Sequence, residues 1–139
     1  MTTYVLVHGA WHGGWCWKKL VPFLKATGAD VFTPTLTGMG ERSHLNRHLN
    51  PSDITLDMHI QDIVQVLEYE GLKDVVLVGH AYAGMVITGV AEVCPERISH
   101  MVYVNGVTPS DGESMVDQLL PVRGPEFTAW VQDQIDYGD

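Results

Sequence analysis

Four short runs of the chain are dominated by apolar and β-branched residues, at 4–8, 30–34, 75–79 and 101–105. They are too short for helices and read as strands buried on both faces. The intervals carry helical spacing instead. Leu20, Val21, Phe23 and Leu24 give a first helix, starting near Trp17, an apolar face that Gly28 stops. Met58, Ile63, Val66 and Leu67 mark a second, ending near Gly71, and Met85, Val86, Val90 and Val93 a third, closed by Pro95. Strands that alternate with helices connect by right-handed crossovers, so the pattern predicts a parallel, doubly wound α/β sheet.

The third strand ends in a distinctive turn. Val75 to Gly84 reads VVLVGHAYAG, a buried run that stops at Gly79 and passes within a few small residues into the third helix. The frame Gly79, His80, Ala81, Tyr82, Ala83 has the form of the G-x-S-x-G nucleophile elbow, with alanine at the serine position and Gly84 just behind. Small flanking residues suit such a turn because a bulky neighbour would strike the adjoining strand and helix. Gly79, Ala81 and Gly84 also read as G-x-A-x-x-G, a near miss to the dinucleotide fingerprint. The methyl at Ala81 opposes backbone contact with a pyrophosphate, and no acidic residue ends a second strand at the required distance. A third possibility is a glycine-rich turn with no site at all.

A second motif weighs against both alternatives. Tyr4 to Trp17, YVLVHGAWHGGWCW, runs from the first strand into a loop with Gly9, Gly13 and Gly14. Together, in this order, the two motifs resemble the α/β-hydrolases, and among them the compact group of hydroxynitrile lyases, methyl-ester esterases and bacterial esterases. The resemblance continues through Pro34 to Leu45 and Val102 to Ser114. It implies that the first and third strands are neighbours, so that both motif loops meet at their carboxyl ends beside a topological switch point, where a ligand cleft is expected.

The same resemblance implies the chemistry. Addition of a nucleophile to an ester carbonyl makes an oxyanion, and each fixed N–H aimed at it is worth ~2.7–4 kcal/mol. The residue after the nucleophile, Tyr82, supplies one donor and Ala10 the other; Ala81 holds the seat of the serine. Gly9, Trp11, His80 and Asn105 are expected to line the substrate site, and Trp11, Trp15 and Trp17 could wall an apolar pocket. His8 and His12 read as tethers of the loop through imidazole hydrogen bonds. Asn105 cannot supply the negative charge of a triad acid, so acid and base are expected downstream. None of the seven histidines is placed to be that base. The reading is a serine carboxylesterase scaffold for small apolar esters, inactive with Ala81. A non-catalytic ligand-binding member of the fold and a lyase remain alternatives.

Composition adds limits. Eight Lys plus Arg against a net charge of −9 leave no basic stripe for nucleic acid. Six of those net charges lie in residues 110–139, where seven acids face Arg123 alone. By resemblance, residues 1–109 are the amino-terminal half of the hydrolase core and 110–139 the start of a helical cap, with a helical stretch from Phe127 to Ile135. Members of that group are normally longer than 139 residues, so the remaining core and cap are expected on a further carboxyl-terminal portion. Cys16 and Cys94 make no disulfide framework, and with no signal-like or membrane-spanning run a cytoplasmic setting is expected. The pairs His8/His12 and His44/His48 have i, i+4 spacing but lack the Glu of H-E-x-x-H. No metal or other cofactor is expected; the expected partner is a small-molecule ester.

Overall fold

In a computed structural model the described residues are 1–114 together with 125, 126, 129, 130 and 133. Strands β1 (Thr3–Val7), β2 (Asp30–Phe32), β3 (Val75–His80) and β4 (Ile98–Val104) form one parallel sheet in the order β2-β1-β3-β4. β1 and β3 pair in register from Thr3 with Val75 to Val7 with Gly79, so the loops that follow them leave the same end of the sheet side by side. Three helices connect the strands: α1 (Val21–Lys25), α2 (Leu56–Tyr69) and α3 (Ala83–Val93).

The core lies between the sheet and the pair α2 and α3. Val5, Val7, Leu77, Ile63, Leu67, Val86, Ile87 and Val90 are almost fully buried, each contributing about 1.5–3 kcal/mol of transfer free energy. α2 shows how its sequence sets its ends. The Thr55 hydroxyl accepts the Met58 N–H at its start, a cap worth about 1 kcal/mol. At its end Gly71 takes φ +63° and the Leu72 N–H returns to the Leu67 carbonyl, which closes the helix in a Schellman turn.

The edges differ from the sequence expectation. Among the described residues β4 lies at the edge of the sheet, with Val102 and Val104 each 42% exposed, where burial on both faces was expected. The short β2 is likewise only partly covered. The first helix begins at Val21, after a 3₁₀ turn over Gly14–Trp17, and no residue of it is buried. Phe23 is 74% exposed, and the predicted apolar face of α1 is covered only in part, at Val21 and Leu24, where the helix lies against β2. The helical stretch expected over 127–135 lies mostly outside the described residues.

Candidate active site

Ala81 sits on a sharp turn. Its φ is +51°, a left-handed conformation held here by a residue with a Cβ, at a cost of about 1–3 kcal/mol. The chain passes directly from β3 through His80 and Ala81 into α3. Backbone hydrogen bonds hold the turn: the Ala81 N–H donates to Val104 O, and the Ala81 carbonyl accepts from the N–H groups of both Gly84 and Val107. The small neighbours are sterically required. A Cβ on Gly79 would come within 2.8 Å of the Ala83 carbonyl, and one on Gly84 would collide with the Val107 carbonyl.

The loop after β1 comes up against this turn. A Cβ built on Gly9 would lie 3.0 Å from the His80 carbonyl and 3.1 Å from the Ala81 Cβ. His8, fully buried, anchors the loop as the sequence suggested. The Leu36 N–H donates to its Nε2 at 3.0 Å, so the ring hydrogen is on Nδ1, 2.7 Å from the Gly9 carbonyl. Burial holds this imidazole below its ordinary pKa. His12 makes the second tether, from Nδ1 to the Ala10 carbonyl at 2.9 Å. Farther along, the Gly14 N–H donates to Thr35 Oγ1, whose hydroxyl donates to the Glu41 carboxylate. That bond holds Glu41 below the usual carboxylate range.

Beside the two loops opens a cleft of about 270 Å³ lined by His12, Cys16, Trp17, His80 and Val104. His80 is among the residues that line it. Trp17 is the one tryptophan of the loop that walls the cleft; Trp11 is 82% exposed at φ +61°, and Trp15 is 46% exposed. Asn105 lies just past β4 at φ +46°, exposed, and Val104 rather than Asn105 lines the cleft. Burial pushes the Cys16 thiol up, which disfavours the nucleophilic thiolate.

The sequence reading missed a buried polar group behind the elbow. His59 of α2 is 4% exposed, with Nε2 2.9 Å from the Thr37 carbonyl and Nδ1 2.9 Å from the Tyr82 hydroxyl. Asp62, one turn on, accepts the Thr37 N–H at 2.6 Å and its hydroxyl at 2.7 Å. Burial and the Asp62 charge push the Tyr82 phenol up to about 12, so it remains a hydrogen-bond donor. A signal was present: His59 lies on the stripe of Ile60, Ile63 and Leu67 that α2 buries, and a polar side chain there requires a partner.

Comparison with known proteins agrees with this architecture. Residues 4–138 match the model of the alpha/beta hydrolase family. The chain belongs to that family, and its relatives place it in an esterase group. It is 45% identical over 129 residues to the carbendazim hydrolyzing esterase of Nocardioides sp. (strain SG-4G), covering 93% of this chain and 52% of that protein. It is 35% identical over 115 residues to the putative chloroplastic methylesterase 14 of Arabidopsis thaliana, covering 82% of this chain and 32% of the relative. Among solved structures, an extracellular alpha/beta-hydrolase from a Paenibacillus species superposes with a TM-score of 0.84 at 28% identity, over 99% of this chain and 53% of that one. Polyneuridine aldehyde esterase superposes with a TM-score of 0.70 at 27% identity, over 96% of this chain and 48% of its own. The chain thus spans about half, or less, of the length of the relatives it matches. No helix among the described residues is long and apolar enough to cross a membrane.

Proposed function

We propose that this chain is the amino-terminal half of a carboxylesterase for small apolar esters, with the nucleophile seat at residue 81 occupied by alanine. In this reading residues 1–109 are half of the hydrolase core and 110–139 begin its cap. The observation that carries it is the left-handed elbow at Ala81, seated against Gly9 of the β1 loop. With serine there, the hydroxyl oxygen attacks the ester carbonyl carbon, and the oxyanion is held by the N–H groups of Ala10 and Tyr82. A histidine from the remaining half of the protein takes the serine proton and gives it to the departing alcohol; water then releases the acid. Gly9 and His80 border the substrate, with Trp17 and Val104 taking the places the sequence reading gave to Trp11 and Asn105.

Trans peptide geometry supports the role of Tyr82. Its N–H points opposite to the Ala81 carbonyl, and that carbonyl is fixed by two donors. Neither the Ala10 nor the Tyr82 N–H appears among the turn and loop hydrogen bonds of the described residues. The alanine itself favours a second reading, a member of the fold that binds its ligand without turnover. The test is Ala81→Ser in the full-length protein, assayed on a panel of small esters. Turnover should rise by several orders of magnitude, since removal of such a serine costs ~10⁶ in kcat in a well-studied protease. No rise in a folded variant supports the binding reading.

A further inference from the structure

Both halves of the proposed oxyanion site are tied to one three-residue segment, Thr35 to Thr37. On the β1-loop side, the Gly14 N–H donates to Thr35 Oγ1 and the Leu36 N–H to His8 Nε2. On the elbow side, the Thr37 carbonyl faces His59 Nε2 at 2.9 Å, and His59 Nδ1 meets the Tyr82 hydroxyl. The segment is itself held from α2, where Asp62 takes both Thr37 hydrogens, and from Arg42, whose Nη1 donates to the Thr35 carbonyl at 2.9 Å.

We infer that His59 is a positioning residue for the oxyanion site, transmitting the placement of Thr35–Thr37 to the Tyr82 side chain and so to the Tyr82 N–H. This rests on the esterase reading above for what the N–H does, but its geometry stands separately. A carbonyl only accepts, so His59 Nε2 carries the ring hydrogen and donates to Thr37, leaving Nδ1 as acceptor for the phenol. The His59 and Tyr82 rings meet edge to face, with centroids 5.7 Å apart, which restricts both rotamers. The elbow's hydrogen bonds fix the peptide plane between Ala81 and Tyr82. His59 adds a side-chain tie from Tyr82 to Thr37, in the segment that also holds the β1 loop through Leu36 and His8. A donor misplaced by a fraction of an ångström loses part of its effect on a transition state while ground-state binding changes little.

The test has two arms. In full-length protein carrying Ala81→Ser, Tyr82→Phe and His59→Leu should each lower kcat about 10-fold with KM changed less than about 2-fold, a smaller loss than the ~10²–10³ for deleting a donor outright. The double variant should be no slower than the slower single one, because both act through one contact. His59→Asn keeps an acceptor where Nδ1 lies but loses the donor to Thr37, so it should stay close to His59→Leu. A kcat unmoved by Tyr82→Phe, or losses that multiply, would overturn the inference. The second arm uses the Ala81 protein and no chemistry: the Tyr82 amide resonance should move in both His59→Leu and His59→Asn. If that resonance stays put, the positioning role fails. If it moves while Ala81→Ser yields no turnover, the esterase reading fails and the positioning contact stands.

Discussion

The two loops that build the candidate site are held by opposite means. The elbow is held almost entirely by backbone: Ala81 N–H to Val104, Ala81 carbonyl to Gly84 and Val107, and glycines where a Cβ cannot fit. Those bonds use only the main chain of residue 81, so its side chain can change from hydroxyl to methyl without loosening the turn. The loop after β1 depends on side chains instead, above all the single tautomer of His8 between Leu36 and Gly9, and Thr35 under Gly14. One loop is thus insensitive to the chemistry of its central residue, and the other is exposed to titration.

Steric substitutions should break both loops alike. In Gly14→Ala the new methyl meets the Thr33 carbonyl, and in Gly84→Ala it meets that of Val107. Because backbone rather than a flexible side chain blocks each site, either change should cost about 3 kcal/mol or more. Urea titration of the folded protein checks this. A wild-type midpoint in either variant would mean that the loops are looser than described.

Removing the loop's tether should have a comparable effect, but on one side only. His8→Leu leaves the buried Leu36 N–H and the Gly9 carbonyl without their partner, about 1–3 kcal/mol for each group left unsatisfied.

The smallest effect is a pH dependence that separates the loops. The His8 pKa is lowered from 6.5 by burial, so below that value the unfolded chain binds the proton first. Stability should therefore fall as pH drops from about 6.5 toward the lowered folded value, and level off below it. Protonation at Nε2 also turns the acceptor of the Leu36 N–H into a second donor. Unfolding free energy measured between pH 7.5 and pH 5 should have a shallower slope in His8→Leu than in wild type. Equal slopes would remove His8 as the titrating tether.

The centre of this fold was legible in sequence, and its margins were not. β1 and β3 are continuous apolar runs because both faces are covered, and the turn after β3 is written in small residues because nothing larger fits. β4 has a similar composition but is an edge strand among the described residues, with Val102 and Val104 exposed; apolar content reports burial capacity and does not name the neighbour. α1 forms with its apolar face covered only in part, since the spacing of Leu20, Phe23 and Leu24 predicts a face without saying how much of it is covered. The His59–Tyr82 contact joins residues 23 apart on different elements, and local periodicity has no term for such a pair. The sharp turn at position 81 could be read because the residues around it are so constrained.

The central claim is that residue 81 occupies the nucleophile seat of an esterase. The most direct measurement is the intact mass of full-length protein after exposure to an alkyl phosphonofluoridate. In Ala81→Ser the serine oxygen should displace fluoride at phosphorus, adding one reagent mass less HF, localised by peptide mapping to residue 81; the Ala81 protein should stay unmodified. Equal labelling of both proteins at another residue, or no labelling of the folded serine variant, would contradict the account.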